Sequence, residues 1–130
     1  MSYVLDTHAW LWLAAGDARA KKINRLRHDA DLLLSVVSIW EATLLHTKGR
    51  IVLRPEPREF FDKFTDAIGI RCVPLSRIAA AEAGLLPGNF QGDPADRFIV
   101  ATCLLQNSTL VTADRRILRY KHASFQRFAL

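Results

Sequence analysis

Five acidic residues stand where a chain of alternating strands and helices would bring them together. Asp6 follows the apolar run Tyr3-Val4-Leu5. Asp114 follows Thr109-Leu110-Val111 through Thr112-Ala113. Glu41 falls in the early turns of a helical pattern, and Asp93 and Asp96 open another. In an open parallel sheet, ligand sites form beyond the carboxyl ends of the strands, so these acids are expected to share one crevice. Two unit charges ~4 Å apart repel by about 4 kcal/mol at an effective dielectric near 20. Several such pairs would consume much of a domain stability of ~5–15 kcal/mol. A divalent cation among them removes the difficulty, and oxygen-only ligation suits Mg²⁺ or Mn²⁺. A cation held that way activates water and stabilises charge on a departing phosphate oxygen.

Each acid also has a purely structural reading. Asp6 can cap the helix that follows it. Ser38-Ile39-Trp40-Glu41 has the spacing of a capping box, although Ser35 is the better cap and puts Glu41 in the second turn. Asp93 before Pro94 is a common N-cap arrangement. Asp96 then lies in the first turn, where the helix dipole favours an acid, with Arg97 beside it as an ion-pair partner. Asp114 can cap a short helix over residues 115–118. What the five share is placement after strands or at helix starts.

The elements that would position them follow from apolar runs and punctuation. Strands are expected at 3–5, 32–34, 72–74 and 109–111, with a last edge strand within 125–130. Helices are expected over about 7–15, 18–28, 36–47, 58–67, 77–84, 94–105 and a short stretch after Asp114, with Gly16, Gly49, Gly69 and Gly84 as stops. Strands that are apolar throughout and alternate with helices imply a parallel sheet covered on both faces. The expected fold is therefore α/β, a single domain over residues 1–130.

Composition narrows the function classes. The chain has 130 residues, half of them hydrophobic and 24% charged, which excludes disorder and low complexity. Its longest early apolar run, Ala9 to Ala15, is too short to cross a bilayer, and no charged segment precedes it, so a cytoplasmic protein without a membrane span is expected. Cys72 and Cys103 form neither a CxxC nor a zinc pattern and are expected to be buried, reduced thiols. His8, His28, His46 and His122 show no ligand pairing. Eighteen Lys and Arg against thirteen Asp and Glu give a net charge of +5, thirteen of the bases being arginine. Setting the five motif acids aside leaves eight acids against eighteen bases. An acidic cleft in so basic a surround suits a phosphodiester polymer. Arg19, Lys21, Lys22, Arg25 and Arg27 form either a solvated helix face or an RNA contact. Trp10 and Trp12 make the first helix apolar nearly all round, for core packing or for a partner surface.

Taken together, Val4-Leu5-Asp6-Thr7-His8, Ser38-Ile39-Trp40-Glu41-Ala42, Gly49-Arg50-Ile51, the Asp93–Thr102 segment DPADRFIVAT and Leu110-Val111-Thr112-Ala113-Asp114 resemble the PIN domain. More narrowly, they resemble the VapC-type toxins of bacterial and archaeal toxin–antitoxin pairs. The likeness runs from the first strand to Tyr120. It implies a three-layer α/β/α sandwich with a mostly parallel sheet of four or five strands. It also implies a Mg²⁺- or Mn²⁺-dependent endoribonuclease, a homodimer, and a VapB-like or other antitoxin whose C-terminal segment blocks the cleft. By motif position Asp6, Glu41 and Asp96 are the core catalytic and metal-binding acids and Asp114 the fourth. Thr112 would supply a hydroxyl that orients a carboxylate or water, and Asp93 a more structural contribution. Cys103 departs from the pattern, standing where a small residue such as alanine is common. An aspartyl-phosphate phosphatase would want a second Asp two positions after Asp6, where His8 stands. The alternative reading is a catalytically inactive PIN-like module that binds nucleic acid or protein.

Overall fold

The computed structural model describes residues 1–130. Its centre is one five-stranded sheet, β1 (Ser2–Leu5), β2 (Asp31–Ser35), β3 (Arg71–Val73), β4 (Thr109–Thr112) and β5 (Gln126–Ala129), in the order β3-β2-β1-β4-β5. Every pairing is parallel; Val4 lies opposite Leu33 on one side and Leu110 on the other. Parallel neighbours need crossovers, and seven helices supply them: α1 (Thr7–Ala15), α2 (Lys21–Leu26), α3 (Val36–Thr47), α4 (Pro57–Phe64), α5 (Arg77–Leu85), α6 (Pro94–Leu105) and α7 (Arg115–Leu118).

The strand side chains alternate between two cores, as a period of two requires. Val4, Leu33 and Leu110 point to one face, where they pack with Ile99, Val100 and Cys103 of α6 and Ile117 of α7. Leu5, Leu34 and Val111 point to the other, against Ala9 and Trp10 of α1, Ile23 of α2 and Ala42 of α3. A three-layer α/β/α sandwich results. Trp10 is fully buried, its indole N–H donating to the Phe64 carbonyl at 2.8 Å, while Phe60 and Phe61 of α4 close over its ring.

The expected helix over 18–28 is instead a 3₁₀ turn, Ala18–Ala20, followed by the six-residue α2. Asp17 caps that turn through its side chain, and the chain re-enters the helix at Lys21. The expected helix over 58–67 stops at Phe64 and continues as a second 3₁₀ turn, Asp66–Ile68, where the Thr65 hydroxyl bonds back to the Phe61 carbonyl. Cys103 is buried as expected, whereas Cys72 on the outer strand β3 is only half-buried; both are free thiols. No helix is long and apolar enough to cross a membrane.

The chain turns from β1 outward through β2 to β3, then returns across the sheet to β4 on the other side of β1. The sheet's switch point therefore lies between β1 and β4, with Asp6 just past one strand and Thr112-Ala113-Asp114 at the end of the other.

Candidate active site

Helix starts need N-caps, and α1, α6 and α7 are capped by acids. Asp6 Oδ1 accepts from the Ala9 N–H at 2.7 Å, opening α1. Asp93 Oδ1 accepts from the Asp96 N–H at 2.9 Å, while Asp96 Oδ2 accepts from the Asp93 N–H at 3.2 Å, a reciprocal capping box at the start of α6. Asp114 Oδ1 accepts from the Arg116 N–H at 2.8 Å, opening α7. Ser35 caps α3, so Glu41 stands in the second turn; Ser38 is fully buried and accepts from the Thr7 hydroxyl at 2.9 Å. For four of the five acids, then, the structural reading holds: Asp6, Asp93 and Asp114 cap helices and Asp96 completes the capping box, while Glu41 caps nothing. That reading does not compete with a site, because all five line one cavity.

That cavity, about 290 Å³, is walled by Asp6, Thr7, His8, Trp12, Glu41, Asp93, Asp96, Ala113, Asp114 and Arg116. It opens at the switch point. On the sheet side the Thr112 hydroxyl donates to Asp6 Oδ2 and accepts from the Asp114 N–H at 3.0 Å, tying the ends of β1 and β4 together. On the helix side α3 brings Glu41 and α6 brings Asp93 and Asp96. Gly92 allows the approach of the preceding loop. A Cβ there would lie 2.4 Å from the Phe90 ring and 2.7 Å from Asp96 Cβ.

The electrostatics follow from this crowding. Burial pushes the Asp96 carboxyl up to about 7, and the charges of Asp93, Glu41 and Asp114 add to the effect. Burial likewise raises Glu41, with the Thr7 hydroxyl partly offsetting it and Asp93 and Asp6 reinforcing it. Asp6 is raised by burial, although the Thr112 hydroxyl and the Ala9 N–H favour its charged form. For Asp114, burial acts upward but the Arg116 hydrogen bonds outweigh it and hold the carboxyl low.

Arg116 is a residue of the cavity wall that the motifs do not expose. Its guanidinium reaches Asp114 Oδ2 at 3.3 Å and Asp96 Oδ2 at 3.9 Å, so it is the one cation among these acids. The available signal was its place in the first turn of α7, where the helix dipole opposes a positive charge. Thr7 was also unmarked, although it follows Asp6 directly. Arg97, expected to pair with Asp96, instead donates to the Ala83 carbonyl at 3.0 Å and lies over the Phe90 ring. Its side chain leaves α6 toward α5.

The donor chemistry fits a hard divalent cation: five carboxylates, with one histidine and no thiol on the walls. As they stand, no three of the His, Cys, Asp and Glu side chains converge closely enough to hold an ion. The reason lies in their partners. Asp6 is turned to Thr112 and Ala9, Asp96 to Asp93, and Asp114 to Arg116. A carboxylate has about four acceptor positions, so these bonds leave capacity for a metal.

Residues 3–123 match the PIN domain family. The chain is 31% identical over 121 residues to Ribonuclease VapC22 of Mycobacterium tuberculosis, covering 92% of each protein. The fold is similar to that of VapBC2 from Rickettsia felis, solved bound to a DNA fragment from its promoter, with a TM-score of 0.73, 17% identity and coverage of 99% and 98%. It is also similar to VapC20 of Mycobacterium tuberculosis, a toxin cleaving the sarcin–ricin loop, with a TM-score of 0.59, 17% identity and coverage of 83% and 86%.

Proposed function

Because the chain belongs to the PIN domain family, we propose that it is an endoribonuclease toxin, dependent on Mg²⁺ or Mn²⁺, that acts in the cytoplasm as one domain over residues 1–130. The single observation that carries this reading is the gathering of Asp6, Glu41, Asp96 and Asp114 in one cavity at the sheet's switch point. Its relatives support the rest: one is a ribonuclease, and the solved ones include toxins paired with antitoxins. The chain's own partners are RNA as substrate, a cognate antitoxin that blocks the acid cavity, and a second copy of itself.

Asp6, Glu41, Asp96 and Asp114 would hold the cation. When bound, the cation supplies an activated water and neutralises charge on the phosphate. Thr112 keeps one face of Asp6 fixed, so that this carboxylate meets its ligand without rearranging. Asp93 anchors the first turn of α6 and so sets where Asp96 stands. Asp96, pushed up to about 7 by burial and by the charges of Asp93, Glu41 and Asp114, is the acid whose ionised form a bound cation would favour most. Arg116 partners Asp114 and offers a guanidinium to a phosphate oxygen at the rim.

The test is cleavage of RNA by the purified chain with Mn²⁺ and with EDTA, beside Asp96→Asn. Cleavage is expected with Mn²⁺, none with EDTA, and a loss of about 10²–10³-fold or more in the variant, the size of one removed electrostatic stabiliser. Undiminished cleavage in EDTA sinks the mechanism. An inactive parent with an intact acid cavity favours the binding-module alternative.

A further inference from the structure

The acid cavity has a basic neighbour. Trp12 and Ala113, which line the acid cavity, also line a second one of about 370 Å³, whose walls include Arg19, Lys21, Lys22 and Arg25. These four cations come from the 3₁₀ turn and α2, a segment fastened to the sheet by the fully buried Ile23. Arg19 is already committed. Its Nε and Nη2 donate to Asp17 at 3.0 and 2.8 Å, and its guanidinium lies 4.0 Å from the centre of the Trp12 ring.

Lys21, Lys22 and Arg25 are different. All three are exposed, and none makes an ion pair. Lys21 and Lys22 occupy the first turn of α2, which contains no acid and where the helix dipole disfavours cations. Helix stability therefore does not account for their placement.

We propose that this bay binds the backbone phosphates of single-stranded RNA flanking the linkage presented to the acid cavity. The inference rests on the ribonuclease reading. An acid cavity repels a phosphate strand except where a cation sits, so the strand's affinity must come from bases beside the cavity. The bay supplies them on the same continuous surface, with the Arg19–Trp12 stack as the fixed ridge between the two. An acidic protein segment would meet the same bases but would gain nothing from the neighbouring cavity, which repels it.

The experiment measures binding without cleavage. In an Asp96→Asn background with Mg²⁺, a fluorescent RNA of about 12 nucleotides is titrated by anisotropy across a salt series. Lys21→Ala/Lys22→Ala/Arg25→Ala is compared with Lys48→Ala/Arg71→Ala/Arg77→Ala, which removes the same charge elsewhere. Alanine is the better helix former, and Ile23 is untouched, so the bay variant is expected to stay folded, which circular dichroism checks. Three lost phosphate contacts at ~0.7 each lower the slope of log K against log salt by about 2, so Kd rises by about a hundredfold near 0.1 M salt and the difference closes toward 1 M. The remote variant is expected to stay within about twofold.

Equal weakening in both variants means that net charge alone is read and overturns the bay. So does an unchanged slope in the bay variant. A bay variant that keeps RNA affinity but loses an oligoglutamate probe assigns the surface to an acidic protein segment, which also overturns it. The Asp96-containing parent separates the two readings. If it cleaves RNA while the bay variant binds normally, only the bay fails. If it neither binds nor cleaves RNA, the ribonuclease reading fails and the bay with it.

Discussion

On the sheet side of the acid cavity, Asp6 accepts one bond from a backbone N–H and one from the Thr112 hydroxyl, and Asp114 has Arg116. On the helix side, Glu41 and Asp96 face each other and Asp93 with far less relief, and Asp96 is pushed up to about 7. Both sides give their acids donors, but on the helix side the Thr7 hydroxyl and the Asp93 N–H are set against the added charges of neighbouring acids. Donors offset part of the cost of burying a charged carboxylate, whereas neighbouring like charges add to it. The difference teaches where a bound cation does most for the protein: on the helix side, where its charge replaces repulsion.

The largest expected effect comes from relieving that side. Asp96→Asn keeps the shape and removes one charge, so in EDTA near neutral pH it is expected to melt higher than the parent. Each kcal/mol relieved reads as about 4 °C in a domain of this size. The pH dependence follows from the same carboxyl. Unfolded, it ionises near 3.9; folded, it does so at about 7. Below both values the two states are equally protonated. As pH rises from about 4 to 7 the unfolded chain loses its proton first, so this group subtracts stability progressively, and fully above 7. Melts in EDTA from pH 4 to 8 are expected to show the variant's advantage growing through that window, and Mg²⁺ to raise the parent more than the variant. A variant less stable than the parent at pH 8 in EDTA would make Asp96 a helix-start residue only.

The sheet side is broken by Thr112→Val, which keeps volume and removes the hydroxyl. Asp6 then loses a buried donor, for about 1–3 kcal/mol of destabilisation. Activity is expected to fall about 10–100-fold, as when a partner behind a metal ligand is lost. Thr112→Ser, which restores the hydroxyl, is expected to recover most of it. Single-turnover cleavage by the three proteins checks the order. Equal activity in Val and wild type would mean that Asp6 needs no orienting bond.

Much of this was legible in the sequence because strands and caps leave local marks. The apolar runs ending at Leu5, Leu34 and Val111 placed β1, β2 and β4, and Asp6, Ser35, Asp93 and Asp114 stood where helices begin. A parallel sheet covered on both faces followed from that alternation, and the α/β/α sandwich of four or five mostly parallel strands from the resemblance that the motifs carry. What was not legible depends on side-chain direction. Arg97 is adjacent to Asp96 in sequence, but successive residues on a helix point about 100° apart, so it leaves for Ala83 while Arg116, twenty positions on, reaches Asp96. The break after Ala20 was hidden for a similar reason: a 3₁₀ turn and an α-helix differ in hydrogen-bond register more than in composition.

Arg116 crosses the comparison, since it is the only cation to touch both sides. Its guanidinium stands 3.3 Å from Asp114 and 3.9 Å from Asp96, the positions a divalent ion would also neutralise. Arg116→Gln removes that charge but keeps a polar side chain and leaves the backbone N–H that Asp114 caps. The pair is exposed, so the fold is expected to change little. On the metal-dependent reading proposed above, Mg²⁺ would compete with the guanidinium for the same carboxylates. Removing the competitor is expected to tighten Mg²⁺ binding by roughly two- to fivefold, the size of one exposed ion pair, as read by titration calorimetry at low salt. The gain should shrink as salt screens the pair in the parent. Looser Mg²⁺ binding in the variant would mean that Arg116 instead holds Asp114 and Asp96 in place for the ion, and that the two sides of the cavity are joined by it rather than merely balanced.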